Sequence, residues 1–411
     1  MLRAHAGRRS RRRREGRSRV GLALAGGGPL GGIYEIGALL ALDDALEGVD
    51  FNDLGIYVGV SSGSLIASGL ANGLAPAELY RIYIENGSDE HPISPGVFQR
   101  PAVGEYFARA AAIPSLLLGA LTRYLQNPLE RGLLASLQAL GRAIPTGVFD
   151  SAPVGRFLAR LYSSGGRSDD FRRLGRRLVV VATDLDSGES VAFGTKGWDH
   201  VPISTAVQAS TALPGLFLPT RIDGRDFVDG ALRKTLHASV ALREGANLVI
   251  CVNPLVPFDA ARARAKRRPR HEKLVEGGLP TVLSQTFRAL IHSRMQVGMA
   301  KYDVDYEDAD VLLLEPDPDD AEMFFANVFS YANRKRVCDH AYRNTVRDLV
   351  RHARTLKPLL ARHGIRLRTD LAHLHTSPSL RRVSGKGVRR ELGASLAQLD
   401  DWVRAQRQGA Q

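Results

Sequence analysis

The sequence predicts an α/β fold with a mostly parallel central sheet and helices on both faces. Short apolar runs suited to buried strands alternate with stretches of helical periodicity. Strands that alternate with helices in this way form parallel sheets that are covered on both sides. With 411 residues, 44% of them hydrophobic, the chain can bury a large core in one large domain or two ordinary ones.

The predicted elements follow in regular order. The first strand, VGLALAG at 20–26, leads into a helix that carries Ile33, Ile36 and Leu40 on one face. The other strand candidates are GIYVGV (55–60), RRLVVVATDL (176–185), ESVAFG (189–194) and ANLVICVNP (246–254). Helices are predicted from Ser62 to about Leu70, over 279–300 and over 333–364.

The net charge of +13 is confined to two short runs. Residues 1–19 carry nine arginines against one glutamate, and residues 261–273 carry seven basic residues against one glutamate. Such runs are typical of solvated segments first and of attraction to anionic lipid second. No aromatic residues are interleaved with the arginines, so no specific nucleic-acid partner is expected.

Cysteine content and hydropathy indicate the compartment. Cys251 and Cys338 are too few for a disulfide framework, which favours a reducing environment. The longest apolar stretches fall short of the roughly 20 residues of a membrane-spanning helix. The arginine-rich start imitates a signal peptide, but cleavage there would remove the glycine-rich stretch at 26–31. We therefore expect a soluble, cytoplasmic protein, with peripheral association with a membrane as the alternative.

GVSSG at 59–63 matches the G-x-S-x-G nucleophile elbow, where a serine occupies a sharp turn between a strand and a helix. Gly59 and Gly63 keep side chains from colliding in that turn, so the Ser61 hydroxyl can project outward. The alternative is a tight turn without chemistry, because glycine-rich chains produce this pentapeptide by chance. The strand before it and the small-residue helix after it favour a nucleophile.

GGGPLG at 26–31 allows two interpretations. As G-x-G-x-x-G it matches a dinucleotide fingerprint, with Asp43, Asp44 and Glu47 near the distance expected of a ribose partner. As an oxyanion loop it exposes backbone N–H groups, each worth about 3 to 4 kcal/mol toward a tetrahedral intermediate. The serine elbow favours the second interpretation, because a dinucleotide fold does not need it.

A third stretch, RIDGRDFVDGALRK at 221–234, places Asp229 at the end of a predicted strand. From there a carboxylate can reach a cleft. The simpler alternative is a β-turn, because Asp-Gly is common in hairpins and Asp223-Gly224 just upstream is predicted to form one.

In these three stretches the chain resembles the patatin-like phospholipase family. GGGPLG resembles the family's glycine-rich oxyanion motif, GVSSG its serine elbow, and DGA at 229–231 its D-G-[GA] motif. STAVQASTALPGLFLPTRIDGRDFVDGA and ATDLDSGESVAF (182–193) also resemble family segments. The resemblance extends over about residues 20–255, and three motifs in the family's order are more specific than any one of them.

The resemblance implies a three-layer α/β sandwich and a lipid acyl hydrolase with a Ser-Asp dyad. Ser61 would be the nucleophile and Asp229 its general base, acting through an acyl-serine intermediate on phospholipid or another acyl-ester lipid. The implied oxyanion hole consists of Gly26, Gly27, Gly28 and Gly31. The implied supporting motif positions are Gly59, Gly63 and Gly230. No metal and no cofactor are implied.

The chain departs from the family pattern in the glycine loop. The family usually has Arg or Lys where Leu30 stands, and Gly32 extends the loop. The loss of this cation bears on headgroup preference and on activity. A member that keeps the fold and only binds lipid or protein is therefore one alternative function.

Four segments are expected along the chain: a basic disordered arm (1–19), a patatin-like catalytic domain (20–255), a mainly helical extension packed on it (256–370) and a basic tail with a short helix (371–411). Within the catalytic domain, 86–150 is predicted to be a helical insertion or a mobile cap over a lipid-binding cleft. Its punctuating prolines set it apart from the flanking sequence.

Histidines provide further alternatives. His237 or His292 would complete a Ser-His-Asp triad in the order of α/β-hydrolases, although a helical histidine is more often a packed or surface residue. His373 and His375 form an H-x-H pair for which a metal role is a minor alternative. The acidic EPDPDD stretch at 315–320 is expected to be a solvated loop.

Overall fold

A nine-stranded mixed sheet forms the centre of the molecule in a computed structural model that describes residues 1–7, 18–85, 100–126, 143–265, 273–326 and 331–368. The strand order is β1-β12-β11-β2-β4-β6-β10-β9, and β7 also pairs with β6. These strands are β1 (Leu2–His5), β2 (Val20–Leu24), β4 (Ile56–Val60), β6 (Leu178–Asp184), β7 (Ser190–Phe193), β9 (Thr220–Ile222), β10 (Arg225–Asp229), β11 (Leu248–Val252) and β12 (Asp310–Leu314).

The five central strands β12, β11, β2, β4 and β6 are parallel, and β1, β7, β9 and β10 pair antiparallel. Two small two-stranded sheets join β3 (Leu46–Glu47) to β13 (Arg366–Leu367) and β5 (Gly147–Phe149) to β8 (Gly215–Phe217). The carboxyl ends of parallel strands meet at one edge of a sheet, so β2 and β4 deliver their following loops to the same place.

The described helices cover both faces of the sheet. They are α1 (Gly28–Ala45), α2 (Ser62–Ala71), α3 (Pro76–Tyr80), α4 (Val103–Gln126), α5 (Ala152–Tyr162), α6 (Ile203–Ser210), α7 (Ala238–Arg243), α8 (Ala260–Ala265), α9 (Gly278–Asp305), α10 (Ala321–Phe325), α11 (Tyr331–Arg351) and α12 (Ala353–Ala361). A π-helical turn at Arg81–Glu85 follows α3. None of the described helices is both long enough and apolar enough to cross a membrane.

Alternation along the buried strands separates two hydrophobic cores. In β2, Leu22 and Leu24 face a core shared with α1 and α11, whereas Ala23 faces a second core shared with α7 and α9. Both faces of the strands are therefore buried, which is why they read as continuous apolar runs in the sequence. The predicted three-layer arrangement, with a mostly parallel sheet and a helical C-terminal region, is confirmed.

Several predicted elements lie where the sequence placed them. The strand candidates correspond to β2, β4, β6, β7 and β11, and the helix after GVSSG is α2. The Asp223-Gly224 turn joins β9 to β10 with φ of +49° and +78°, the left-handed conformations of a tight hairpin turn. The tail from 369 onward, with His373 and His375, lies outside the described residues.

The structure corrects two expectations at the ends of the sheet. Residues 2–5 fall within the predicted disordered arm, yet they form β1 and pair with β12, so they cover what would be an open edge. β12 itself lies within the predicted helical extension. It leads directly into EPDPDD, which is not a solvated loop, because Glu315, Asp319 and Asp320 are buried.

Candidate active site

Ser61 occupies a strained turn between β4 and α2. Its φ of +52° and ψ of −127° lie in a region that residues with side chains rarely adopt. The turn is held by Ser64, whose N–H and hydroxyl both donate to the Ser61 carbonyl at 2.9 and 2.6 Å. Strain of this kind persists only where the surroundings impose it, and here it fixes the direction of the Ser61 side chain.

The glycines of the elbow are required by close backbone contacts. A Cβ on Gly63 would lie 2.6 Å from the Ala25 carbonyl oxygen at the end of β2. A Cβ on Gly59 would overlap the Cα of Ser64, and one on Gly230 would overlap the Val181 carbonyl oxygen. These positions accept no side chain unless the backbone moves.

Asp229 meets Ser61 from the other side of the turn. It is the last residue of β10, which pairs antiparallel with β6 on the side opposite to β4 and ends level with the end of β4. Ser61 Oγ donates to Asp229 Oδ2 at 2.6 Å, and the Ala231 N–H donates to Asp229 Oδ1 at 2.8 Å. Both side chains are buried, with exposures of 5% and 3%. The two residues named by the sequence motifs therefore form a direct hydrogen-bonded pair.

Burial sets the protonation behaviour of Asp229. Removal from water raises the pKa of its carboxyl to about 6, against the opposing effect of the hydrogen bonds from Ser61 and Ala231. Above that pH the carboxylate is ionised and can accept the serine proton. A carboxyl with a pKa near the working pH is suited to general-base chemistry.

Ser210 is a site residue that the motifs did not reveal. The Ser61 N–H donates to Ser210 Oγ at 2.8 Å, and Ser210 Oγ donates in turn to the Val181 carbonyl at 2.6 Å. Ser210 is fully buried at the end of α6. Ser210 therefore connects the elbow to β6. In the sequence it is only a serine within STAVQAS, a stretch that resembles a family segment.

The glycine loop lies directly against the pair. A Cβ on Gly26 would lie 2.8 Å from the Cβ of Ala231 and 3.0 Å from that of Ser61. Gly28 has a φ of +62° and begins α1, and the Gly31 N–H donates to the Gly27 carbonyl at 3.0 Å. Gly27 and Gly31 pack against Pro254. Among described residues, no acceptor is found for the N–H groups of Gly27 and Gly28.

The histidines proposed for a triad lie in other surroundings. Burial lowers the pKa of His237 to about 3, and His237 directly precedes α7 without a side-chain hydrogen bond to the first turn of that helix. His292 Nε2 is 2.9 Å from the side-chain amide of Gln296, and its Nδ1 is 3.7 Å from Glu315. In the described part of the chain, neither histidine hydrogen-bonds to Asp229 or Ser61.

The acidic residues expected of a dinucleotide site are also engaged elsewhere. The Tyr342 hydroxyl donates to Asp44 at 2.7 Å, and Arg366 Nε donates to Glu47 at 2.7 Å. These contacts hold α11 and the C-terminal segment against α1 and β3, which is a structural role.

A match between the sequence and a family model identifies the family. The family model "Patatin-like phospholipase" matches residues 22–242, more than half of the chain. The chain belongs to the patatin-like phospholipase family. The matched patatin-like region contains the glycine loop, Ser61 and Asp229.

Curated relatives match a short part of this chain. The uncharacterized NTE family proteins Rv1063c of Mycobacterium tuberculosis and Mb1092c of Mycobacterium bovis are each 37% identical over 75 residues, 18% of this chain. The matched stretch is 19% of each relative, so the chain spans about a fifth of the length of the curated relatives it matches.

Two solved structures show a low overall similarity to this chain. VipD from Legionella pneumophila is 14% identical with a TM-score of 0.32, over 84% of this chain and 79% of that one. Human GIVD cytosolic phospholipase A2, bound to methyl γ-linolenyl fluorophosphonate, is 12% identical with a TM-score of 0.31, over 82% and 58%. TM-scores this low support no conclusion about the fold, which is established by the sheet described above.

A cleft of about 660 Å³ opens in front of Ser61 in this patatin-like chain. Its described lining is mainly apolar and comes from α1, α2, α5, the Leu213–Phe217 region and α9; it includes Ile33, Leu65, Val154, Leu216 and Phe287. Ser61, Asp229, Gly27 and Gly28 also line it. Ser61 and the glycine loop therefore face a space suited to a hydrocarbon chain.

Leu30, the departure from the family pattern, does not line this cleft. It is half-buried in the first turn of α1 and packs against the hydrophobic core. Leu30 thus makes an apolar packing contact at the position where the family usually has a cation. Because it does not line the cleft, it removes no apolar surface from it.

Proposed function

We propose that the protein is a lipid acyl hydrolase that uses Ser61 and Asp229 as a catalytic dyad. The observation that carries this proposal is the 2.6 Å hydrogen bond from Ser61 Oγ to Asp229 at the wall of an apolar cleft. A hydroxyl already bonded to a carboxylate can transfer its proton as it attacks. Membership of the patatin-like phospholipase family supports the assignment to lipid substrates.

In the proposed reaction, Ser61 Oγ attacks the ester carbonyl carbon while its proton passes to Asp229. The carbonyl electron pair moves to oxygen, and the N–H groups of Gly27 and Gly28 stabilise that oxyanion. The tetrahedral intermediate collapses, and the leaving alcohol takes the proton from Asp229. Water, deprotonated by Asp229, then attacks the acyl-serine. As this second tetrahedral intermediate collapses, Asp229 returns the proton to Ser61 Oγ and the fatty acid is released.

The elbow glycines and Ser210 have supporting roles in this proposal. Gly59, Gly63 and Gly230 let three backbone segments meet closely enough to aim the dyad, and Gly26 leaves room for it. Ser210 holds the Ser61 N–H, so that group is not available to an oxyanion. We therefore assign the donors to the glycine loop, where Gly27 and Gly28 have N–H groups without a described acceptor.

The proposal is tested by covalent labelling and by hydrolysis. A fluorophosphonate probe should modify Ser61 in the folded wild type, and peptide mass spectrometry should find no adduct in Ser61→Ala. A screen of phospholipids, lysophospholipids, acylglycerols and short esters should show turnover that Ser61→Ala loses. Absence of both labelling and turnover, with lipid binding retained, would instead assign a lipid-binding role.

A further inference from the structure

The described residues that line the cleft include more cationic than anionic side chains. Among the described residues that line it, the charged ones are Asp229, Arg288 and Arg334. Asp229 belongs to the dyad, and its carboxyl is bonded to Ser61 and Ala231. The rest of the described lining is apolar or neutral, so the cleft carries a positive charge that the proposed dyad chemistry does not use.

Arg288, on α9, has few partners. Its Nη1 donates to the Val256 carbonyl at 3.3 Å, and its guanidinium carbon lies 5.1 Å from the centre of the Phe324 ring. No carboxylate of a described residue lies within ion-pair distance of it. Arg334 differs, because it is buried and donates to the Tyr83 carbonyl at 3.4 Å.

An incompletely paired guanidinium in a partly apolar cleft favours an anionic ligand. Arg288 is half-buried, and burial lowers its pKa to about 10, so it stays charged at neutral pH. A guanidinium has five N–H donors, and the described contacts of Arg288 use one. A cation removed from water without a counter-ion is unfavourable, so an anion that enters the cleft gains a charge-assisted, bidentate partner.

Arg288 is connected to the glycine loop through a short segment. Its acceptor, Val256, is two residues beyond Pro254, which packs against Gly27. Leu255, between them, lines the cleft together with Arg288 and Ser61. An anionic group bound by Arg288 would therefore lie in the same cleft as Ser61, while acyl chains occupy the apolar lining.

We propose that Arg288 binds the phosphate of a glycerophospholipid substrate and selects phospholipid over neutral acylglycerol. This inference rests on the proposed acyl hydrolase function. It also places the headgroup cation on α9, whereas the family pattern has its cation at the position of Leu30. The guanidinium and the phosphodiester would form two parallel N–H···O bonds, the geometry for which arginine is suited.

The test compares two lipids that differ in the phosphate. Phosphatidylcholine and diacylglycerol with identical acyl chains are presented in uncharged detergent micelles, so that general surface attraction plays no part. Arg288→Gln should lower kcat/KM for phosphatidylcholine by about 10- to 100-fold, the loss expected of a charge-assisted pair. Turnover of diacylglycerol should stay near the wild-type value.

The matched control is Arg294→Gln, which removes the same charge from an exposed position of α9 outside the cleft lining. It should leave both substrates unchanged. Arg288→Lys, which keeps the charge without the fork of donors, should fall between wild type and Arg288→Gln for phosphatidylcholine. An equal loss on both lipids in Arg288→Gln, or no loss on either, would overturn the headgroup assignment.

A binding measurement separates this inference from the proposed function. Calorimetry with short-chain phosphatidylcholine and diacylglycerol is run on Ser61→Ala, with and without Arg288→Gln. Selective loss of phosphatidylcholine affinity in the double variant supports the phosphate site even if no hydrolysis is found. Hydrolysis that depends on Ser61 but shows no dependence on Arg288 keeps the enzyme assignment and rejects the phosphate site.

Discussion

Ser61 Oγ and Asp229 Oδ2 are 2.6 Å apart, although 168 positions separate the two residues in the chain. The contact is possible because β4 and β10 both end beside the same part of β6, one running parallel to it and the other antiparallel. Within the described residues no third side chain bonds to the Asp229 carboxylate. Proton transfer in the proposed reaction is thus direct, and the carboxylate itself is the base.

The first prediction concerns the base. Asp229→Asn keeps the shape of the side chain and can still accept from the Ala231 N–H, but it cannot take the serine proton. We expect kcat on a lipid ester to fall by about 100-fold or more, the usual contribution of a general base. His292→Ala should retain activity. If His292→Ala lost activity with its circular dichroism spectrum unchanged, a histidine triad would be favoured instead.

The pH dependence follows from the raised pKa of Asp229. The base is active when ionised, so kcat/KM should rise tenfold per pH unit at low pH, bend near pH 6 and stay level above about pH 7. The direction is set by burial, which holds the proton on the carboxyl to a higher pH than in water. Initial rates on a neutral ester between about pH 4.5 and 8.5 give the profile. A rate that is flat across this range, or that falls as pH rises through 6, contradicts the assignment.

Ser210→Ala should impair the elbow without touching the substrate. The change leaves the Ser61 N–H without its acceptor and the Val181 carbonyl without that donor. We expect a loss of about 1 to 3 kcal/mol in unfolding free energy, as for other buried unpaired groups, together with a lower kcat and a nearly unchanged KM. Denaturant unfolding and steady-state kinetics measure the two effects.

Ser68→Ala is the matched control for that prediction. Ser68 is also a fully buried serine with two hydrogen-bond partners, the Leu65 carbonyl and the Tyr162 hydroxyl, but it lies further along α2. It should lower stability by a similar amount and leave kcat intact. Equal effects of both variants on kcat would mean that general destabilisation, not the position of Ser61, explains the loss.

Gly26→Ala should disturb the dyad through a steric contact. The added methyl would lie 2.8 Å from the Cβ of Ala231 and 3.0 Å from the Cβ of Ser61, closer than such carbons normally approach. We expect activity to drop by about tenfold or more, since displacements near 1 Å at a reacting centre are costly. Gly298→Ala, in α9 with open space around the added methyl, should preserve activity and stabilise the helix. Full activity in Gly26→Ala would show that the loop has room to move.

The last prediction concerns the arginine-rich segment before β2. Because residues 2–5 form a strand, deletion of the whole arm would also remove β1 from the sheet. Replacing the seven arginines between positions 8 and 17 with glutamine avoids this. Binding to anionic vesicles should weaken, and the difference should be larger at low salt, where the screening length grows. Co-sedimentation with neutral vesicles is the control. Vesicle binding that does not change would assign these arginines to another role.

The sequence predicted the parts of the site that depend on local backbone chemistry. A serine between glycines after an apolar strand can be recognised from the local sequence alone. The glycine loop can be recognised in the same way. The aspartate at 229 was ambiguous on its own, because a hairpin turn uses the same dipeptide. Its position beside Ser61 follows only from the strand pairing that brings the two residues together.

Other features depend on contacts between distant segments and had no local signal. Ser210 and Arg288 lie in ordinary helices, and their roles depend on which strand end or cleft wall each helix meets. The buried carboxylates of Asp319 and Asp320 look like a solvated acidic loop in the sequence, because polarity alone does not show that Arg262 and His340 pack against them. β1 is too short and too rich in polar neighbours to be recognised without β12.

The close packing of Gly59 and Gly63 has a consequence for reading distant homologues. Both glycines are imposed by neighbouring backbone, whereas the described partner of the Ser61 hydroxyl is the Asp229 carboxylate and no backbone group. A descendant that lost catalysis would keep the spacing of its glycines to preserve the fold and would be free to replace the serine. Surveys that score only the two glycines and their spacing would then count inactive members as enzymes, and positions 61 and 229 together are the more informative signature.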